Sequence, residues 1–206
     1  MPTVARIYLV QHAEKLPDAG DPGLTALGRS QAAVTGRWLS HAGLGAVYTS
    51  PLLRARQTAQ CVAGAAGGLS VHIDHRLRER MNWDGNQPIP EFLQDWSRAT
   101  LDREFVPRSG DSSRQAAQRM MSFLAERAHG PVPIAVVTHG GITVDVLRTL
   151  LGDEGVATEL MTRGVPSCAI TTLDSLKVVS IAWTDHLPAD SELLGAVDPR
   201  RPPASA

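Results

Sequence analysis

The chain has 206 residues, 43% of them hydrophobic, enough to bury a substantial core, and the length favours one domain over two. A formal net charge of -1, with acidic and basic residues interspersed, excludes the concentrated basic footprint of a nucleic-acid binder and favours a small polar or anionic ligand. Cys61 and Cys168 form no CxxC pair, and the first apolar run is too short for a signal peptide or a membrane span, so the expected location is cytoplasmic.

In chain order, Ala5 to Val10 reads as a buried strand, apolar without alternation, that ends at Gln11 and His12. Thr25 caps a predicted helix with Leu27, Gln31, Val34 and Trp38 at helical spacing. A second strand covers Gly45 to Thr49, and Ser50 followed by Pro51 predicts an N-cap and a first helical residue, with the helix running to about Ala65. A third strand is expected at Leu69 to Ile73, then an irregular Gly- and Pro-bearing stretch, then a short helix from Glu91 to Arg103. Asp111 or Ser112 caps a longer helix through Ala128.

The run PIAVVTHGG is another buried strand, ending in His139, and the helix after it closes at Gly152. Two final strands are expected at Cys168 to Leu173 and Val178 to Trp183. The alternation predicts an α/β fold with a mostly parallel sheet and helices on both faces, over residues 1–186, followed by a loosely attached tail at 187–206. Ligands bind such sheets outside the carboxyl ends of the strands, and both IYLVQHA and PIAVVTHG deliver a histidine to that edge. Arg54 stands in the first turn of a helix, where backbone N–H groups already favour an anion, so phosphate is the natural ligand.

These motifs, taken in order over about residues 5 to 150, resemble the histidine phosphatase superfamily, also called phosphoglycerate-mutase-like. The pattern of a strand followed by Arg-His-Gly or Arg-His-Ala stands as Gln11-His12-Ala13-Glu14, and the Leu-Thr-x-x-Gly-x-x-Gln helix start as LTALGRSQ, Leu24 to Gln31. Ser50 to Ala59 matches Ser-x-Leu-x-Arg-Ala-x-Gln-Thr-Ala. LRE and Trp83-Asp84-Gly85 match the next pair of motifs, Gly110-Asp111-Ser112 the helix entry before Arg119, and His139-Gly140-Gly141 the closing His-Gly-Gly. The resemblance implies that His12 is a nucleophile forming a phosphohistidine, that Glu79 is the general acid and base, and that His139 stabilises the transferring phosphoryl group. It implies substrate-binding positions at Arg54, Gln11, Thr25 and Gly140, with no metal and no cofactor.

Most members carry arginine where Gln11 stands. A glutamine amide brings neither charge nor a guanidinium fork, and losing a charged hydrogen bond costs roughly 1.5–3 kcal/mol. Three readings follow: a slower phosphatase, with Lys15 or Arg29 as conceivable helpers; a site retuned to a less charged substrate; or a non-catalytic phosphate-binding or regulatory protein on the same fold. The segment from Asn82 to Ser109 sets Arg98, Arg103 and Arg108 against five carboxylates, which disfavours a bisphosphate-dependent mutase. The expected partner is therefore a small phosphorylated molecule or a phosphoprotein, not nucleic acid or membrane, with no oligomeric state preferred.

The remaining features read as structural. HIDH, His72 to His75, lacks zinc spacing and lies in a strand, Glu14 and Lys15 read as a solvated or supporting pair, and the hydroxyl of Ser50 as bound to backbone. Trp83 is placed in the segment covering the site. GLG at 43–45 lacks a nucleotide-binding fingerprint, and no GxSxG elbow exists for a serine hydrolase.

Overall fold

The computed structural model describes residues 5–190 and 193. Strand β1 (Arg6–Gln11) has side chains buried on both faces, because helices cover both sides of the sheet. Ile7 and Leu9 join one cluster, with Met120, Phe123, Ile142 and Val146, while Tyr8 and Val10 join the other, with Leu39, Ala55, Ala59 and Val62. Strand β2 (Ala46–Thr49) and strand β3 (Val71–Ile73) run parallel to each other. Strand β4 (Ile134–Thr138) is buried at every residue, which explains its unbroken apolar run.

The six-stranded sheet has the order β3-β2-β4-β1, followed by β5 (Ile170–Asp174) and β6 (Lys177–Trp183). The first four strands are parallel and the last two antiparallel. Helices α1 (Ala26–Leu39) and α2 (Leu53–Ala65) pack together on one face, and α4 (Ser113–Arg127) and α5 (Gly140–Leu151) on the other. Helix α3 (Ile89–Leu101) lies in the connection between β3 and α4. This is the expected α/β architecture, a mostly parallel sheet with helices on both faces.

Several boundaries differ for local reasons. Helix α2 begins two residues after Pro51: Leu52 precedes it without a side-chain cap, and the N–H of Leu53 donates to Asp21 Oδ1 at 2.7 Å, so a distant aspartate does the capping. Ser112, not Asp111, caps α4, in a reciprocal capping box with Gln115. Helix α3 starts at Ile89 and ends at Leu101, with Pro90 accommodated in its first turn. Helix α6 (Thr158–Arg163) has only six residues, too few to leave a periodic signal. Of the expected tail, 191, 192 and 194–206 lie outside the described residues, whereas Leu187 packs against the cluster of Ala13, Leu24, Ala32 and Cys168.

Candidate active site

Pairing between β1 and β4 sets the site. Gln11 stands opposite Thr138, so the next residues, His12 and His139, leave the sheet side by side, and His12 N–H donates to Thr138 O at 3.0 Å. Their ring centroids are 5.1 Å apart. His12 Nδ1 lies 2.8 Å from Ala13 O, which can only accept, so that nitrogen carries the hydrogen and Nε2 keeps its lone pair. Arg54 Nε donates to that Nε2 at 3.2 Å, and Arg54 Nη2 donates to Asn82 Oδ1 at 3.1 Å. Burial, reinforced by Arg54, pulls the His12 pKa down to about 3, leaving a neutral imidazole.

His139 is fully buried in the turn between β4 and α5. Its Nε2 lies 2.7 Å from Ser50 Oγ, while Nδ1 has no partner among the described residues. Burial, then His12 and Arg54, hold its pKa well below the ordinary value. Ser50 Oγ also accepts from Leu52 N–H at 3.3 Å, so the expected backbone contact exists but the hydroxyl has a second task on His139.

Glu79 occupies the start of α5. Its carboxylate accepts backbone N–H bonds from Arg80 at 2.8 Å and from Gly141 and Ile142 at 2.9 Å each. Gly141 has to be glycine, since a Cβ there would fall 2.6 Å from Glu79 Oε1 and 2.8 Å from the Trp96 ring. Arg119 steadies the approach to Glu79 by donating to the carbonyls of Arg76 and Arg78 at 2.7 and 2.9 Å while pairing with Asp111 at 2.6 Å. Behind them, Arg80 pairs with buried Asp145 at 2.9 Å and stacks on Trp96, its guanidinium carbon 4.3 Å from the ring centre. Burial pushes the Asp145 carboxyl up to about 6, against the pull of Arg80.

A cavity of about 220 Å³ opens over this arrangement. His12, Arg54 and Glu79 line it together with the polar Lys15, Asp18 and Asn82 and the apolar or aromatic Met81, Trp83, Phe92 and Trp96. Four expected positions fall elsewhere, among them His139, which is fully buried and absent from the cavity wall. Thr25 stays out of the cavity because its hydroxyl accepts from Gly28 N–H at 2.9 Å and donates to Glu14 Oε1 at 2.7 Å. Gly140 lines a neighbouring cavity of about 140 Å³ beyond Trp96. Gln11 is buried and absent from the cavity wall, and its Oε1 has no partner among the described residues and lies 3.7 Å from where a Cβ on Gly140 would stand.

Lys15, read from the sequence as part of a solvated or supporting pair and, with Arg29, as a conceivable helper, lines the cavity, whereas the Arg29 guanidinium is turned to Leu24 O at 2.9 Å. Asn82, Phe92 and Trp96 carried no sequence signal beyond lying in or beside the irregular covering segment. Among the described residues no group of three or more His, Cys, Asp or Glu side chains could hold a metal, and no helix is long and apolar enough to cross a membrane.

Similarity to known proteins agrees with this geometry. The probable phosphoglycerate mutase GpmB of Yersinia pestis is 31% identical over 163 residues, 71% of this chain and 75% of that protein. A mycobacterial glucosyl-3-phosphoglycerate phosphatase, solved with inorganic phosphate, has a TM-score of 0.69 at 23% identity over 89% of this chain and all 100% of its own. A phosphoglycerate mutase from Bacillus anthracis has a TM-score of 0.70 at 16% identity, covering 94% of this chain and 96% of that one. At those identities the two solved structures speak for the fold. The family model described as histidine phosphatase superfamily, branch 1, matches residues 7–177, a span that holds both histidines, Arg54 and Glu79, and the chain belongs to that superfamily.

Proposed function

We propose that the protein is a phosphomonoester hydrolase that works through a phosphohistidine at His12. The observation that carries this reading is the His12 imidazole: neutral, fixed through Nδ1 to Ala13 O, with its Nε2 lone pair at the cavity floor against Arg54. In the first step Nε2 attacks phosphorus, the bond to the leaving oxygen breaks, and that oxygen takes a proton from the Glu79 carboxyl. In the second, water attacks phosphorus, Glu79 takes the water proton, and the N–P bond breaks to release phosphate and neutral His12. Arg54, whose Nη1 is buried without a partner among the described residues, binds phosphoryl oxygens throughout. His139, neutral and off the cavity wall, acts through its hydrogen bond to Ser50 and its packing against the His12 ring rather than by charge.

The Trp83, Phe92 and Trp96 wall suits a small leaving group with an apolar or planar face, on a phosphorylated metabolite or the side chain of a phosphoprotein. Gln11 adds no charge where the family resemblance expects arginine, so the reading is of a slow enzyme. Substituting His12→Ala and Arg54→Ala and following inorganic phosphate release from a simple aryl phosphate tests it. Loss of turnover in His12→Ala, with an acid-labile phosphate trapped on wild type, is expected; turnover that survives the substitution overturns it. Transfer of phosphate to a second hydroxyl compound in place of release would instead favour a mutase, the activity named for the Yersinia relative. The position of Gln11 off the cavity wall favours a second reading, a phosphate-binding protein without turnover, for which the same assay would return binding alone.

A further inference from the structure

We infer that Lys15 is the second cation of the phosphoryl-binding pole, supplying from the loop after the nucleophile the positive charge that Gln11 does not bring. This deepens the phosphatase reading and rests on it. Lys15 lines the cavity with His12 and Arg54, and Gln11 does not. Its backbone is fixed: Lys15 forms an antiparallel bridge with Leu24, and Leu16 N–H donates to Gly23 O at 2.9 Å. Among the described residues its ammonium makes no ion pair, donating only to Leu16 O at 3.0 Å, a neighbouring carbonyl that an arriving phosphate readily replaces.

The charge balance of the cavity requires such a group. With His12 neutral and the Glu79 carboxyl protonated as the first step needs, the charged side chains on the wall are Lys15 and Arg54 against Asp18. Without Lys15, Arg54 and Asp18 cancel and a phosphate dianion meets no net positive charge; with it, the wall is net positive when the dianion binds. Burial, then Arg54, already draws the ammonium below the ordinary lysine range, with Asp18 opposing, as expected for a cation set beside another and short of an anion. Arg29 is another cation near this loop, but its guanidinium donates to Leu24 O and is absent from the cavity wall.

The test compares wild type, Lys15→Met, Lys15→Arg and Arg29→Met in two assays: calorimetric binding of inorganic phosphate and orthovanadate, and KM against kcat for an aryl phosphate. Lys15→Met is expected to weaken phosphate and vanadate about tenfold to a hundredfold and to raise KM correspondingly, the loss of one charge-assisted hydrogen bond. Lys15→Arg should retain most of the binding, and Arg29→Met should match wild type. Phosphate binding by Lys15→Met equal to wild type, or an equal loss in Arg29→Met, overturns the assignment. The two readings fail separately: absent His12-dependent turnover with Lys15-dependent phosphate binding removes the phosphatase and keeps the cation, and the reverse result does the opposite.

Discussion

The floor of the cavity and its cover are built on different principles. The floor, His12 and Arg54 on the cavity wall backed by the buried His139 and Ser50, is set by parallel strand pairing and one helix start, and three of these four side chains are at least 97% buried. The cover, from Asn82 through α3, exposes Ile89 and Leu93 at 50% and 56% and forms surface ion pairs such as Arg108 with Glu91. Surface pairs of that kind contribute little, so the cover is held by a few deep anchors. Arg80 is the principal one: it reaches Thr100 and Trp96 of α3 while pairing with Asp145 inside α5.

That contrast yields graded expectations. Arg80→Ala leaves the Asp145 carboxyl buried and unpaired and should cost about 3–5 kcal/mol in urea unfolding, with KM raised as Trp96 shifts. An Arg80→Ala protein as stable as wild type would mean that the cover needs no such anchor. In the floor, Ser50→Ala takes away the partner of a fully buried imidazole and should cost about 1–3 kcal/mol. An unaltered unfolding midpoint would show that the His139 contact is dispensable.

Acid should act on the floor as well. The folded pKa of His12, about 3, lies below its ordinary 6.5, so the unfolded chain binds more protons between those values and stability falls as pH drops through that window. From pH 6.5 to 5 the His12 share is roughly 1.5 kcal/mol, because the unfolded imidazole is only half protonated at the start of that window and the slope approaches about 1.36 kcal/mol per unit below it. Asp145, raised to about 6, works in the opposite sense, gaining stability as pH falls from about 6 toward its ordinary value. The difference in pH slope between wild type and His12→Gln isolates the histidine, and equal slopes would refute a neutral buried imidazole. The smallest effect belongs to the outer cover: Leu93→Ser should change stability by less than about 0.5 kcal/mol. A larger loss would reveal a packed surface where an exposed one stands.

The floor was also the part most legible in the sequence. IYLVQHA and PIAVVTHG announce strands by apolar runs and end each in a histidine, and Arg54 and Glu79 fall within ordered motifs, so His12, Arg54 and Glu79 could be named as candidates before their meeting at one cavity was seen. Ser50 could not be read fully, because Ser-Pro looks the same whether the hydroxyl caps a helix or also holds a histidine 89 residues away. Asn82 and Trp96 were hidden for a related reason, and Lys15 could be named only as a conceivable helper beside Arg29: loop conformation and the lie of one helix bring them to the cavity, and neither leaves a period in the chain. Thr25 was assigned to substrate through its motif, whereas its hydroxyl closes a helix end.

The opposition of Gln11 and Thr138 acts as a ruler. Deleting one residue within either strand would slide one histidine by about 3.3 Å and turn the residues beyond the deletion to the other side of the sheet. The separation of the two imidazoles is thus written into the backbone ladder, and the loops around them can change length, charge and ligand preference without resetting it.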